Sequence, residues 1–203
     1  MKRTKPSLDN AYARADRAQQ HLESLKRELD KAFANPSPIF SQLGDDMADG
    51  DFIIVDYSGR LLRPIWGILV GETVYNLRAA LDYLVYELAI LDSGQIQEYT
   101  QFPIEDWQAG WRRASVGLLC GFTDPHKESI KLLQPCYGCY WTKIIRDISN
   151  SDKHRSLKIV RPRQTIEWIT DKDTTVTYEV TFDDEKPVIE TLQELHARVT
   201  ERD

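Results

Sequence analysis

The chain has 203 residues, of which 41% are hydrophobic and 29% charged, and its formal net charge is −6. That is the balance of a globular unit, or of one unit with an appendage, with enough apolar surface for a core. No apolar run reaches the ~18 residues that a membrane-spanning helix requires, so a membrane protein is not expected.

The N-terminal stretch MKRTKPSLDNAYARADR is charged and lacks an apolar centre, so no secretory signal is expected there. With three cysteines and no signal, a disulfide framework is not expected and a cytoplasmic, reducing setting fits. The charge is uneven. Lys153 to Arg163 holds five Lys and Arg residues plus His154 and no acid, whereas Gln164 to Asp203 holds eleven acids against four bases. Such asymmetry points to a local anion site on an otherwise acidic molecule.

Ser7 is a good helix N-cap, and the chain then runs without Gly or Pro to Asn35. Leu8, Tyr12, Ala15, Leu22, Leu25, Leu29 and Phe33 give that helix an apolar face, and Asn35-Pro36-Ser37-Pro38 ends it. Residues 35–50 read as a loop, and Asp51 to Tyr57 as a strand closed by Ser58-Gly59.

Pro64 opens the helix around which the chain is organised, and Asp92-Ser93-Gly94 ends it. Val70, Val74, Leu77, Leu81, Leu84, Val85 and Leu88 form one apolar face. At about 100° per residue, Gly71, Tyr75, Arg78, Asp82 and Ala89 make a stripe beside it, and Glu72, Asn76, Tyr83 and Glu87 fall on the far side. Phe102-Pro103-Ile104 reads as extended, and Glu105 to Ser115 as a short helix packing Trp107 and Trp111. Asp124 caps a further helix with Pro125 in its first turn, and Tyr137 to Ser151 is helical.

After the cap-favouring cluster Ser149-Asn150-Ser151-Asp152 the pattern turns to period two. Leu157–Val160, Thr165–Thr170, Thr174–Thr181 and Val188-Ile189 read as strands, with a hairpin turn at Asp171-Lys172-Asp173. The expected fold is mainly α (α+β): an antiparallel helical bundle over residues 1–155, with a strand near 51–57. A small C-terminal antiparallel β-sheet over 156–203 packs on it as an appendage. Tyr75, Tyr83 and Tyr86 on one helix make a homodimer an expected partner state.

Two charged clusters are candidate sites. On the central helix, Arg78 and Asp82 are either a salt bridge between neighbouring elements or the forked wall of a phosphate or carboxylate site, with Asn76 and Tyr83 beside them. In the second, Asn150, Asp152, Lys153, His154 and Arg155 bring an amide, a carboxylate and cations together at a helix end. His154 there is either tuned to trade protons or one of several cations on a helix C-terminus. Cys136 and Cys139 are two apart, with Cys120 and His126 upstream, but the spacing matches no common zinc module. Neither a metal nor a cofactor is expected, and the phosphate-loop, dinucleotide, metalloprotease and nucleophile-elbow motifs are missing.

GETVYNLRAALDYLVYELA, the Phe102-Pro103-Ile104 triplet and ISNSDKHRSL together resemble a family of bacterial and phage proteins with no established activity. In that family an NLRxALDH-type helix precedes an FPI triplet and a later NxDKHR segment; the resemblance covers roughly residues 64–160. More loosely, the segment resembles the Rx4–6H signature of HEPN domains, helical bundles that often dimerise and cleave RNA without metal. The resemblance implies roles for Arg78 and position 83, but position 83 is Tyr83 here, not histidine. The function expected on these grounds is a HEPN-like, non-catalytic or degenerate binder of a nucleotide or short RNA, phage- or defence-associated, without general DNA binding. The alternatives are a metal-independent endoribonuclease using Arg78 and His154, with Asp82 orienting, and a module that binds a protein partner.

Overall fold

A computed structural model of the chain describes residues 5–34, 52–56, 63–154, 161–168, 174–182 and 185–201. Among them are six α-helices and three strands. The helices are α1 (Asp9–Phe33), α2 (Pro64–Ser93), α3 (Gln108–Gly117), α4 (Asp124–Leu132), α5 (Tyr140–His154) and α6 (Val188–Thr200); the strands are β1 (Phe52–Asp56), β2 (Arg161–Trp168) and β3 (Thr174–Thr181). No helix among the described residues is long and apolar enough to cross a membrane.

α2 is the centre of the helical assembly. Pro64 stands in its first turn, and Gly94 ends it in the left-handed region at φ 67, with its N–H bonded to the carbonyl of Ile90. A Cβ at that φ would be strained, which is why the helix stops there. Val70, Val74, Leu77 and Val85 are fully buried, as the apolar spacing requires. The far side is covered too, contrary to expectation: Asn76 and Glu87 are each only 2% exposed. α1 lies along that side, and a Glu87 carboxylate oxygen accepts the Ser7 N–H at 2.8 Å. The Ser7 hydroxyl accepts the N–H of Asp9, although Leu8 occupies the cap position itself.

Three further details depart from the expected elements. α4 is capped by Thr123 rather than Asp124, because Thr123 is still extended while its carbonyl already accepts the Lys127 N–H. α5 does not stop at Ser151; it continues through the polar cluster to His154, since Ile145, Ile148 and Ser149 are buried and carry the helix on. Trp111 is buried, but Trp107 precedes α3 in an extended conformation and is 77% exposed, so one indole packs rather than two.

The C-terminal segment is not all β. Val188-Ile189 opens α6, whose Val188, Leu192 and Leu195 are buried in the shared core. The sheet is assembled from both parts of the chain, in the order β1-β2-β3 and antiparallel throughout. The register places Arg163 of β2 between Asp56 of β1 and Glu179 of β3. The loop 35–50, the Leu157–Val160 strand and the Asp171–Asp173 turn lie outside the described residues.

Candidate functional site

The charged residues of α2 divide by helical geometry. Asn76 and Tyr83 are two turns apart on one side, Arg78 and Asp82 one turn apart on another. The Asn76 side chain accepts from Arg14 of α1 at 3.2 Å and donates to the Glu72 carbonyl at 2.8 Å. The same Arg14 guanidinium stands 5.9 Å from the centre of the Tyr83 ring, within cation–π range. Both residues therefore fasten α1 to α2 and are not part of a cleft with Arg78.

Arg78 and Asp82 grip the Phe102-Pro103-Ile104 triplet. Asp82 Oδ1 accepts the Phe102 N–H at 2.9 Å, and Arg78 Nη2 donates to the Phe102 carbonyl at 2.5 Å. The two side chains are 3.4 Å apart. From α5, Arg146 Nη1 donates to the Ile104 carbonyl at 3.3 Å, and from the connection between α4 and α5 Gln134 Oε1 accepts the Glu105 N–H at 3.0 Å. Phe102 and Ile104 bury their side chains in the core. The triplet is thus a strap with its apolar side chains inward and three of its backbone polar groups bonded by two arginines and a carboxylate. Proline suits its middle because no donor is called for there.

Beside the strap lies a cavity of about 240 Å³, lined by Arg78, Gln101, the strap residues, Leu118, Arg146, Ser149 and Asn150. Arg78 is 12% exposed, and its Nη1 is buried with no hydrogen-bond partner among the described residues. Leaving such a donor unpaired costs about 1–3 kcal/mol. Burial lowers the Arg78 pKa from the usual arginine value; Asp82 opposes that and nearby Arg146 adds to it. Arg146 is differently placed. Burial pulls it down, but hydrogen bonds to Asp147 and Asp106 outweigh this and raise it. Its nitrogens are engaged at 2.9 Å with Asp106 and at 2.8 and 3.0 Å with Asp147. The Glu105 carboxylate lies against Gly110, in the first turn of α3, where a Cβ would collide with it.

Of the residues expected from the sequence, Arg78 and Asn150 line the cavity and Asp82 braces Arg78. Asp152, Lys153 and His154 form the last turn of α5, directly after Asn150 along the helix; the helix is described there and the side chains are not. Arg155 lies outside the described residues. Arg146 and Gln101 are cavity residues that pattern reading missed. The Arg146-Asp147 pair interrupting Ile144, Ile145 and Ile148 was the available signal.

A second polar cluster pins the end of α2 to the start of α4. Asp92, its side chain 5% exposed, accepts from the Thr123 N–H at 2.7 Å and hydroxyl at 3.0 Å, and its two oxygens lie 2.8 and 2.9 Å from His126 Nδ1. Burial pushes the Asp92 carboxyl up, but these bonds together hold it below the ordinary value. Cys120 is exposed and Cys136 and Cys139 are partly buried, all as free thiols; burial raises the latter two. Among the described residues no three His, Cys, Asp or Glu side chains converge as a metal ion would require.

Comparison with protein-family models, with curated proteins and with solved structures found no match for this chain.

Proposed function

We propose that the protein is a HEPN-like, non-catalytic binding module that holds a nucleotide or a short RNA end in the cleft between Arg78 and Asn150, in a cytoplasmic phage or defence setting. The observation that carries the reading is the buried Nη1 of Arg78, a donor without a partner on the wall of a cavity. A native protein leaves few such groups unpaired, and a ligand acceptor would relieve the cost. Tyr83, at the position of the HEPN histidine, supports the non-catalytic form of the reading: its ring lies beside Arg14.

Titrating the full chain with nucleotides and with RNA of a few residues, with and without a chelator, tests this. Saturable binding with intact RNA is the expected result. Chelator-insensitive cleavage would replace it with the ribonuclease that uses Arg78 and His154. Absence of binding at millimolar concentration would leave a protein-binding module as the better reading.

A further inference from the structure

We infer that the part of the ligand entering the cleft is a guanine base, not a phosphate. The inference rests on the nucleotide-binding reading and names what that site recognises. Charge is the first argument. The two guanidiniums of the cleft are accompanied by four carboxylates: Asp82 3.4 Å from Arg78, Asp106 and Asp147 at 2.9 and 2.8 Å from Arg146, and Glu105 on the lining. A phosphomonoester would add about −1.5 to −2 to a neighbourhood that is already negative.

Donor geometry is the second argument. Anion sites exploit two parallel arms of a guanidinium fork. Arg146 is engaged by Asp106, Asp147 and the Ile104 carbonyl, and Arg78 Nη2 by the Phe102 carbonyl. What is left is Nη1 of Arg78, a donor only.

The rest of the wall is neutral. Gln101 and Asn150 carry amides and Ser149 a hydroxyl, and each of these donates as well as accepts. Pro103, Ile104 and Leu118 supply apolar surface for the faces of a flat ring. At about 240 Å³ the cavity is below the ~300–1,000 Å³ of pockets that engulf a whole drug-sized ligand, so one ring system enters and the rest stays outside.

Guanine matches this lining. Its O6 and N7 are adjacent acceptors that suit an arginine donor. On the same edge adenine sets an N6 donor beside N7 and uracil offers O4 alone, so each gives the two N–H groups of Arg78 Nη1 one acceptor where guanine gives two. The remaining N–H groups of guanine meet the amide and hydroxyl oxygens.

The test is an equilibrium titration of the full chain, at constant ionic strength, with guanosine, adenosine, uridine, guanosine monophosphate, adenosine monophosphate and inorganic phosphate. Guanosine and its monophosphate should bind within about threefold of one another, and adenosine and uridine at least ~10-fold more weakly, the discrimination one base contact supplies. Inorganic phosphate should not compete. Asn150→Ala, at an exposed position, should weaken guanosine severalfold and leave the denaturation midpoint in place. Equal binding of the two monophosphates with competition by phosphate, or uridine binding as well as guanosine, would overturn the inference while the nucleotide-binding reading stands. Failure of every nucleoside and nucleotide to bind would remove that reading itself.

Discussion

Asp82 Oδ1 accepts the Phe102 N–H at 2.9 Å, twenty residues along the chain. The carboxylate that steadies Arg78 is therefore also a bond in the fold, and the two roles are coupled. Substituting Asp82 by Ala leaves the Phe102 N–H unsatisfied and removes the countercharge of a largely buried guanidinium. The expected loss of stability is about 1–3 kcal/mol, read from the denaturant midpoint. Asp82→Asn keeps an acceptor for the N–H and should lose less. Equal midpoints for Ala and wild type would mean that the strap does not depend on this bond.

The two tryptophans of the α3 region should separate cleanly. Trp111 is 6% exposed and packed in the core cluster, whereas Trp107 is 77% exposed. Trp111→Ala should cost about 3–5 kcal/mol, the range for removing a buried indole. Trp107→Ala should stay within about 0.5 kcal/mol of wild type, as surface changes usually do. Thermal or chemical denaturation of both variants checks the ordering.

How far these features could be read from the sequence depended on how local their causes are. Pro64 and Gly94 bound α2 by backbone chemistry that acts within one turn, so that helix was legible at both ends. Which indole is covered depends on what packs over α3, and four-residue spacing cannot say. Val188-Ile189 looked like a strand because β-branched residues favour one, yet Leu192 and Leu195 follow at helical spacing and their burial decides for α6. The cleft was half legible. Arg78, the FPI triplet and Asn150 each stood out, but the bonds joining them span 24 and 42 residues, and Arg146 acquires its meaning only through Ile104 and Asp106.

Acid should weaken the α2–α4 junction through Asp92. Its carboxyl is held below the ordinary 3.8 in the folded chain by the bonds from Thr123 and His126. A depressed folded pKa stabilises the fold above the unfolded value and ceases to do so as pH falls through the folded one. Asp92→Asn should therefore be less stable than wild type at pH 7, with the gap closing below about pH 4, near the unfolded aspartate value. Denaturant midpoints measured from pH 7 to pH 3 would show this; a gap that stayed constant would exclude Asp92 as the source.

Gly94 offers a test of pure backbone strain. It sits at φ 67, and a Cβ built there meets nothing within 4 Å. Gly94→Ala can therefore cost only the left-handed conformation, roughly 1–2 kcal/mol, with no clash added. Gly94→Asn should recover part of that, because asparagine tolerates the region. Midpoints that rank Gly, then Asn, then Ala are the expected outcome, and a larger loss for Asn than for Ala would point to a contact rather than strain.

Duplex DNA should not bind at physiological salt. Tracking a duplex needs several cations aligned along a groove, each neutralising a phosphate. Here the arginines of the cleft are matched by carboxylates, with Arg146 between Asp106 and Asp147. In the sheet, the register sets Arg163 opposite both Asp56 and Glu179, so acids flank it on either neighbouring strand. The C-terminal region from Gln164 carries eleven acids against four bases, which repels a long polyanion. A gel-shift titration with random duplex at about 150 mM salt should show no submicromolar complex, and whatever weak complex forms at lower salt should disappear steeply as salt rises. A complex that persisted at that salt would require a continuous basic face and would displace the single-cleft reading.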